Sequence, residues 1–110
     1  MWGRVLDNTP GVKLDDDPDS FWVRADDGPE TGWFYGCQTI MQAAGYRWLR
    51  VTSGMLNQSC NAAQPWTLNL TAGSHTVHLR NREPVGDDNV AAIARVLVTN
   101  DLDYVPAAPD

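Results

Sequence analysis

The chain has 110 residues, of which 43% are apolar and 20% are charged. This composition suits one folded domain with a modest core and excludes a disordered chain, and no apolar run approaches the length needed to cross a bilayer. The net charge of −6 at pH 7, with few and scattered basic residues, argues against nucleic acid as a partner.

The first part of the chain contains strand patterns separated by turn-forming loops. Residues 1–6, "MWGRVL", alternate as a short strand, and an Asp-rich loop follows at residues 7–19. Residues 20–25, "SFWVRA", form a clear strand pattern, and "DDGPETG" at residues 26–32 combines Asp, Gly and Pro in a turn. A short apolar segment then begins at Trp33.

The middle of the chain predicts one further strand between two connections. Residues 37–44 allow a helical turn, but neither a cap nor a long period supports a helix. Residues 45–52, "GYRWLRVT", predict a strand, followed by a polar connection at residues 53–65. The alternation of this strand places three side chains on one face: Tyr46, Trp48 and Arg50.

Two patterns predict strands in the last part of the chain. Residues 66–83, "WTLNLTAGSHTVHLRNRE", predict two strands folded about a tight corner at Gly73. Residues 93–99 predict a buried strand because β-branched residues dominate them, with a helix over residues 89–97 as the alternative. We therefore expect an all-β fold, an antiparallel β-sandwich or jelly roll over residues 1–105, with residues 106–110 as a tail or linker.

Cysteine and histidine spacing bears on metals and redox state. Cys37 and Cys60 lack zinc-site spacing, and His75 and His78 would point to opposite faces of a strand. We expect no metal or other cofactor. The two cysteines form either a disulfide in an exported protein or two free thiols.

Several segments in order resemble the galactose-binding-like jelly roll of carbohydrate-binding modules of families 6 and 35. They are "DSFWVRADDGP", "GYRWLRV", "LTAGSHTVHLRNRE" and "IARVLVTND", of which the corner at residues 70–76 together with "TND" at residues 99–101 is the most specific. The resemblance implies a non-catalytic module of an extracellular or cell-surface protein, with a polysaccharide or oligosaccharide as its partner.

The resemblance also implies a binding site at the loops of one end of the sandwich. Carried over by position, its aromatic residue is Tyr46, in place of a Trp, and its amide is Asn89. Trp48 shares the face of Tyr46 and is either part of the site or packing, and Asn89 alternatively caps a turn. Trp33 and Tyr35 form either a second aromatic platform or part of the core.

Two departures from the family pattern carry expectations of their own. The chain starts at what corresponds to the second or third strand of the family, which predicts an unpaired sheet edge and homo-oligomerisation through it. Ile93 and Ala94 stand where the family has a calcium-ligand pair, so the calcium site is not carried over. The acidic residues 15–19, 26–27 and 87–88 are expected to be solvated loops rather than cation ligands.

Catalysis is not expected. The sequence has no G-x-S-x-G motif, and its carboxylates cluster in loops rather than as a desolvated pair. The leading hypothesis is a non-catalytic carbohydrate-binding module. The alternative is a structural or assembly β-sandwich that self-associates through its exposed edge.

Overall fold

The computed structural model describes residues 1–7, 20–35, 45–53, 64–82 and 91–107. Within these ranges every paired strand is antiparallel and no residue is helical. The strands, in chain order, are β1 (Trp2–Asp7), β2 (Ser20–Ala25), β3 (Thr31–Phe34), β4 (Gly45–Arg50), β5 (Thr52–Ser53), β6 (Gln64–Pro65), β7 (Val77–Asn81) and β8 (Ala92–Leu97). No helix in these ranges has the length and apolarity needed to cross a membrane.

The first sheet, called sheet A, has the strand order β4-β1-β8. Leu6 lies opposite Tyr46 at one end of the β1–β4 pair, and Trp2 lies opposite Arg50 at the other. Between β1 and β8 the register shifts, since Arg4 lies opposite Arg95 and Val5 opposite Ile93. The extra residue in β8 is a β-bulge, which turns the strand locally and alters which side chains face inward.

The second sheet, called sheet B, has the order β3-β2-β7. Its central strand β2 alternates as the sequence predicts, with Phe21 and Val23 buried and Trp22 and Arg24 partly exposed. A short pair, β5 with β6, adds a third, two-stranded element.

Both sheets contribute to one core. Val5, Leu49 and Val51 on the side of sheet A pack in the same cluster as the buried aromatic residues of sheet B and its margin, Phe21, Trp33 and Tyr35. A Cβ atom added to Gly3 would lie 2.4 Å from the Trp33 ring. Glycine at this position therefore allows the indole of one sheet to approach the backbone of the other. The arrangement is all-β, antiparallel and sandwich-like.

The strand predictions at residues 1–6, 20–25 and 45–52 are confirmed, with β4 and β5 dividing the last of them. The final strand is also confirmed, which removes the helix alternative over its described residues, but it spans Ala92–Leu97 rather than residues 93–99. The sequence predicts that this strand is buried, but two of its predicted residues, Val96 and Val98, are 43% and 67% exposed. The bulge in β8 and its early end explain this difference.

The predicted hairpin at residues 66–83 is wrong in its first half. Residues 66–71 form no strand, and Leu68 and Leu70 are 43% and 46% exposed. β7, the second half, pairs with β2 instead of with its neighbour in sequence. Alternating polarity identifies a strand-like face but not a partner, and residues 66–71 form no ladder with any strand in the part of the chain that the structure describes.

Candidate functional site

Tyr46 lies near the start of β4, on the outer face of sheet A. The residue is 45% exposed. The guanidinium carbon of Arg4, on the neighbouring strand, lies 5.6 Å from the ring centroid, within the range of a cation–π contact. Arg4 thus supports the ring within the sheet, and a substantial part of the Tyr46 surface remains open to solvent.

Trp48 shares the face of Tyr46, as the alternation predicts. It lies opposite Arg4 in the β1–β4 ladder and is only partly exposed. Its indole nitrogen is buried and contacts no hydrogen-bond acceptor in the described structure. Tyr46 is therefore the more accessible aromatic side chain of this face.

Trp33 and Tyr35 belong to the core, which is one of the two alternatives that the sequence leaves open for them. Both side chains are fully buried. The rings of Phe21, Trp33 and Tyr35 pack together, with centroids 5.5 to 6.1 Å apart. The Tyr35 hydroxyl donates a 2.9 Å hydrogen bond to the carbonyl oxygen of Leu6. Core packing therefore occupies the ring faces that a ligand would need.

Several predicted features lie outside the described residues. They are the amide of Asn89, the cysteines Cys37 and Cys60, and the acidic loops at residues 15–19 and 87–88. The structure thus describes the aromatic half of the predicted site and leaves its amide half, the disulfide and these loops as predictions.

The acidic pair at residues 26–27 is described, and Asp26 serves the corner that precedes β7. Asp26 has a positive φ of 49° and receives hydrogen bonds from the Thr76 amide at 2.8 Å and from the His75 ring at 2.7 Å. The other ring nitrogen of His75 contacts the Thr71 carbonyl oxygen at 2.6 Å. This hydrogen bonding fastens the corner at Gly73 to the end of β2.

Electrostatics at the corner follow from these contacts. The hydrogen bond from the Thr76 backbone, and then that from His75, lowers the pKa of Asp26. The hydrogen bond to Asp26, followed by that to Thr71, raises the pKa of His75. His75 therefore has a structural role at this corner, and the side chains of Asp26 and His75 are engaged with each other rather than directed to a ligand.

The outer face of sheet B carries a second group of Arg and aromatic side chains. Arg80 pairs with Glu30 at 2.5 Å and lies over the ring of Trp22, with 5.7 Å from the guanidinium carbon to the ring centroid. The hydrogen bond from Arg80 lowers the pKa of Glu30. Arg82 donates to the Ser20 hydroxyl at 2.8 Å. These contacts hold both guanidinium groups within the sheet.

A groove that sequence reasoning missed lies at the other end of sheet A from Tyr46. We call it the Trp2 groove; its lining includes Trp2, Arg50, Trp66, Thr67, Thr99 and Asp101. The signal that points to it is the tryptophan count, because five Trp in 110 residues exceed what a small core needs. The sequence does not reveal that segments so distant along the chain converge.

The described residues thus place two aromatic features at opposite ends of one sheet face, each beside an arginine. Flat rings beside planar hydrogen-bond donors are suited to holding a ligand that has both apolar faces and polar edges. Comparisons of the chain with protein-family models, with curated proteins and with solved structures found no match.

Proposed function

We propose that this chain is a non-catalytic carbohydrate-binding module with a galactose-binding-like jelly-roll fold, which holds a polysaccharide or oligosaccharide at Tyr46. The observation that carries the proposal is the half-exposed Tyr46 ring, supported by Arg4 on the outer face of sheet A. The family resemblance of the sequence adds Asn89 as the amide partner of this ring.

The chemistry of the site fits a sugar. A sugar ring presents C–H groups on its faces and hydroxyls around its edge. An exposed phenol ring stacks on the first, while a guanidinium or an amide donates hydrogen bonds to the second. Tyr46 supplies the ring, and Arg4 lies close enough to contact the same ligand.

Support from Arg4 also bears on affinity. A side chain that is already held in its bound orientation loses less conformational freedom when the ligand arrives. Arg4 belongs to the central strand of sheet A, so the ring of Tyr46 rests on a rigid element of the fold. We expect Tyr46 to act as a preformed stacking surface.

The proposed biological role follows from binding without catalysis. A module of an extracellular or cell-surface protein raises the local concentration of whatever is joined to it near a polysaccharide. Proximity then directs the attached protein to that polysaccharide, and the module itself leaves the saccharide chemically unchanged.

The test compares two tyrosines of similar exposure. Wild-type protein is screened on a glycan array and by affinity electrophoresis in polysaccharide gels, beside Tyr46→Ala and Tyr104→Ala. Tyr104 is 42% exposed and lies near the C-terminal end of the chain, so it is a matched control. We expect Tyr46→Ala to weaken binding roughly tenfold or more, the loss of a stacking contact, and Tyr104→Ala to retain it.

Two further variants distinguish the contribution of the Tyr46 ring from that of the Asn89 amide. Tyr46→Phe keeps the stacking face and should bind nearly as well as wild type, whereas Asn89→Ala should weaken binding if the amide belongs to the site. Unchanged binding in Tyr46→Ala, or a folded wild-type protein that binds no glycan, would overturn the proposal.

One observation favours the alternative function, assembly through a sheet edge. β8 ends sheet A in the described part of the chain, and Val98, directly after it, is 67% exposed. An apolar edge of this kind pairs readily with a second copy of the chain. Sedimentation velocity should then show a concentration-dependent dimer that Val98→Lys disrupts, and a monomer at high micromolar concentration would exclude it.

A further inference from the structure

We infer that the Trp2 groove is a second saccharide-binding site, separate from Tyr46 and suited to a neutral sugar. The inference rests on the proposed function for the class of ligand, and it concerns residues to which the family resemblance assigns no binding role. Its basis is the convergence of two indole rings, a guanidinium group, a carboxylate and two hydroxyls on one depression.

Backbone pairing explains why these segments meet. The amide of Val51, just after β4, donates a 3.0 Å hydrogen bond to the carbonyl oxygen of Met1. The amide of Trp66 donates a 2.9 Å hydrogen bond to the carbonyl oxygen of Val51. The start of β1, the end of β4 and the residue after β6 therefore lie side by side, which places Trp2 and Trp66 along the same groove.

Arg50 contacts both Trp2 and Leu102, two residues that line the Trp2 groove. Its guanidinium carbon lies 4.7 Å from the centroid of the Trp2 ring, and the same guanidinium donates a 3.1 Å hydrogen bond to the carbonyl oxygen of Leu102. Asp101 lies in a turn in which its carboxylate accepts the amide of Asp103 and its own amide donates to the Thr99 hydroxyl. The polar groups are thus held in place by neighbours before any ligand binds.

The charges of the groove favour a neutral ligand. Its lining side chains carry one positive charge, on Arg50, and one negative charge, on Asp101. A hydroxyl-rich neutral sugar can donate to the carboxylate and accept from the guanidinium, whereas an ionic ligand would be repelled by one of them.

The groove and Tyr46 are far enough apart to act independently. Tyr46 and Arg50 are four residues apart on β4, which corresponds to about 13 Å along a strand. A saccharide chain held at both ends of the same sheet face would bind more tightly than at either end, because the second contact becomes intramolecular.

The experiment follows the indole N–H signals of the ¹⁵N-labelled full chain by NMR. Soluble neutral oligosaccharides of glucose, xylose and mannose are titrated into wild type, Tyr46→Ala, Trp66→Ala and Asp101→Ala, with Trp22→Ala on sheet B as the control. We expect the Trp2 and Trp66 signals to shift with at least one sugar, also in Tyr46→Ala. Trp66→Ala and Asp101→Ala should weaken this binding roughly tenfold.

The variants separate the two sites. Because Trp66 packs partly against the core, the exposed Asp101 provides the test that does not depend on core packing. Sugar-dependent shifts that require Tyr46 and never reach Trp2 or Trp66 would overturn the inference and leave the proposed site intact. Shifts of the Trp2 and Trp66 signals that persist in Tyr46→Ala would support the inference, and the glycan screen of Tyr46→Ala decides separately on the proposed Tyr46 site. A folded chain that binds none of these sugars would overturn the inference.

Discussion

At the level of single residues, the hydrogen bonds of His75 determine which protonation state the corner before β7 requires. Both of its ring nitrogens face acceptor oxygens, the carboxylate of Asp26 at 2.7 Å and the carbonyl of Thr71 at 2.6 Å. A neutral imidazole carries only one N–H and can satisfy one of the two, whereas the imidazolium ion donates to both. The corner before β7 is therefore built for protonated His75.

This geometry predicts a pH dependence of stability with a definite sign. The pKa of His75 is raised in the folded chain, so its contribution is complete below the ordinary pKa of 6.5 and is lost as pH rises through the folded pKa. The pKa of Asp26 is lowered, so its contribution is complete above the ordinary value of 3.8 and is lost as pH falls through the folded pKa.

Denaturant midpoints measured from pH 5 to pH 9 check the histidine part. Wild type should lose stability as pH rises above the ordinary histidine pKa, and His75→Ala should remove much of that slope. His78→Ala is the matched control, since it removes the other imidazole and leaves the corner contacts in place. Equal slopes for wild type and His75→Ala would contradict the assignment of an imidazolium.

At the level of strands, the sequence is sufficient to predict a strand where one of its faces is buried. β1, β2 and β4 have the alternation and the buried residues that their sequences predict, because period-two patterning reports directly on which face meets the core. The same pattern over residues 66–71 does not give a strand, and those residues form no ladder with the strands of the described ranges. Partner choice depends on contacts distant in sequence, such as β7 with β2, that local patterning does not encode.

Two leucines test this distinction. Leu49 on β4 is 7% exposed and Leu70 is 46% exposed, although both occupy apolar positions of an alternating pattern. Leu49→Ala should lower the free energy of unfolding by about 2–5 kcal/mol, the cost of a core cavity. Leu70→Ala should change it by no more than about 0.5 kcal/mol. Urea denaturation of both variants measures these changes. A large loss of stability in Leu70→Ala would mean that residues 66–71 pack as a strand after all.

The candidate sites show the same limit, namely that local patterning does not reveal which distant segments come together. Tyr46 could be selected from sequence because the resemblance fixes its position and alternation places it on an outer face. Trp33 and Tyr35 could not be assigned from sequence, because an aromatic residue beside a turn serves equally as core or as surface until the opposing sheet is known. The Trp2 groove depends on backbone contacts among Met1, Val51 and Trp66, which no spacing along the chain predicts.

At the level of the whole molecule, the two sheets meet where Gly3 faces Trp33. A methyl group at Gly3 would lie 2.4 and 2.9 Å from two ring carbons of Trp33 and 3.1 Å from a side-chain carbon of Ile93. The ring is fully buried and packed against Phe21 and Tyr35, so it has little room to move away. Gly3→Ala should therefore lower the free energy of unfolding by about 1–3 kcal/mol, the usual cost of overpacking.

A double-mutant cycle shows whether the cost arises at this contact. Trp33→Phe shortens the ring, so Gly3→Ala should cost less in the Trp33→Phe background than in wild type. Because both sheets share one core cluster, near-ultraviolet and far-ultraviolet circular dichroism should report one coincident unfolding transition in each variant. Equal costs in the two backgrounds would place the strain of Gly3→Ala elsewhere than Trp33. Two separate transitions would mean that sheets A and B unfold independently, which a shared core does not allow.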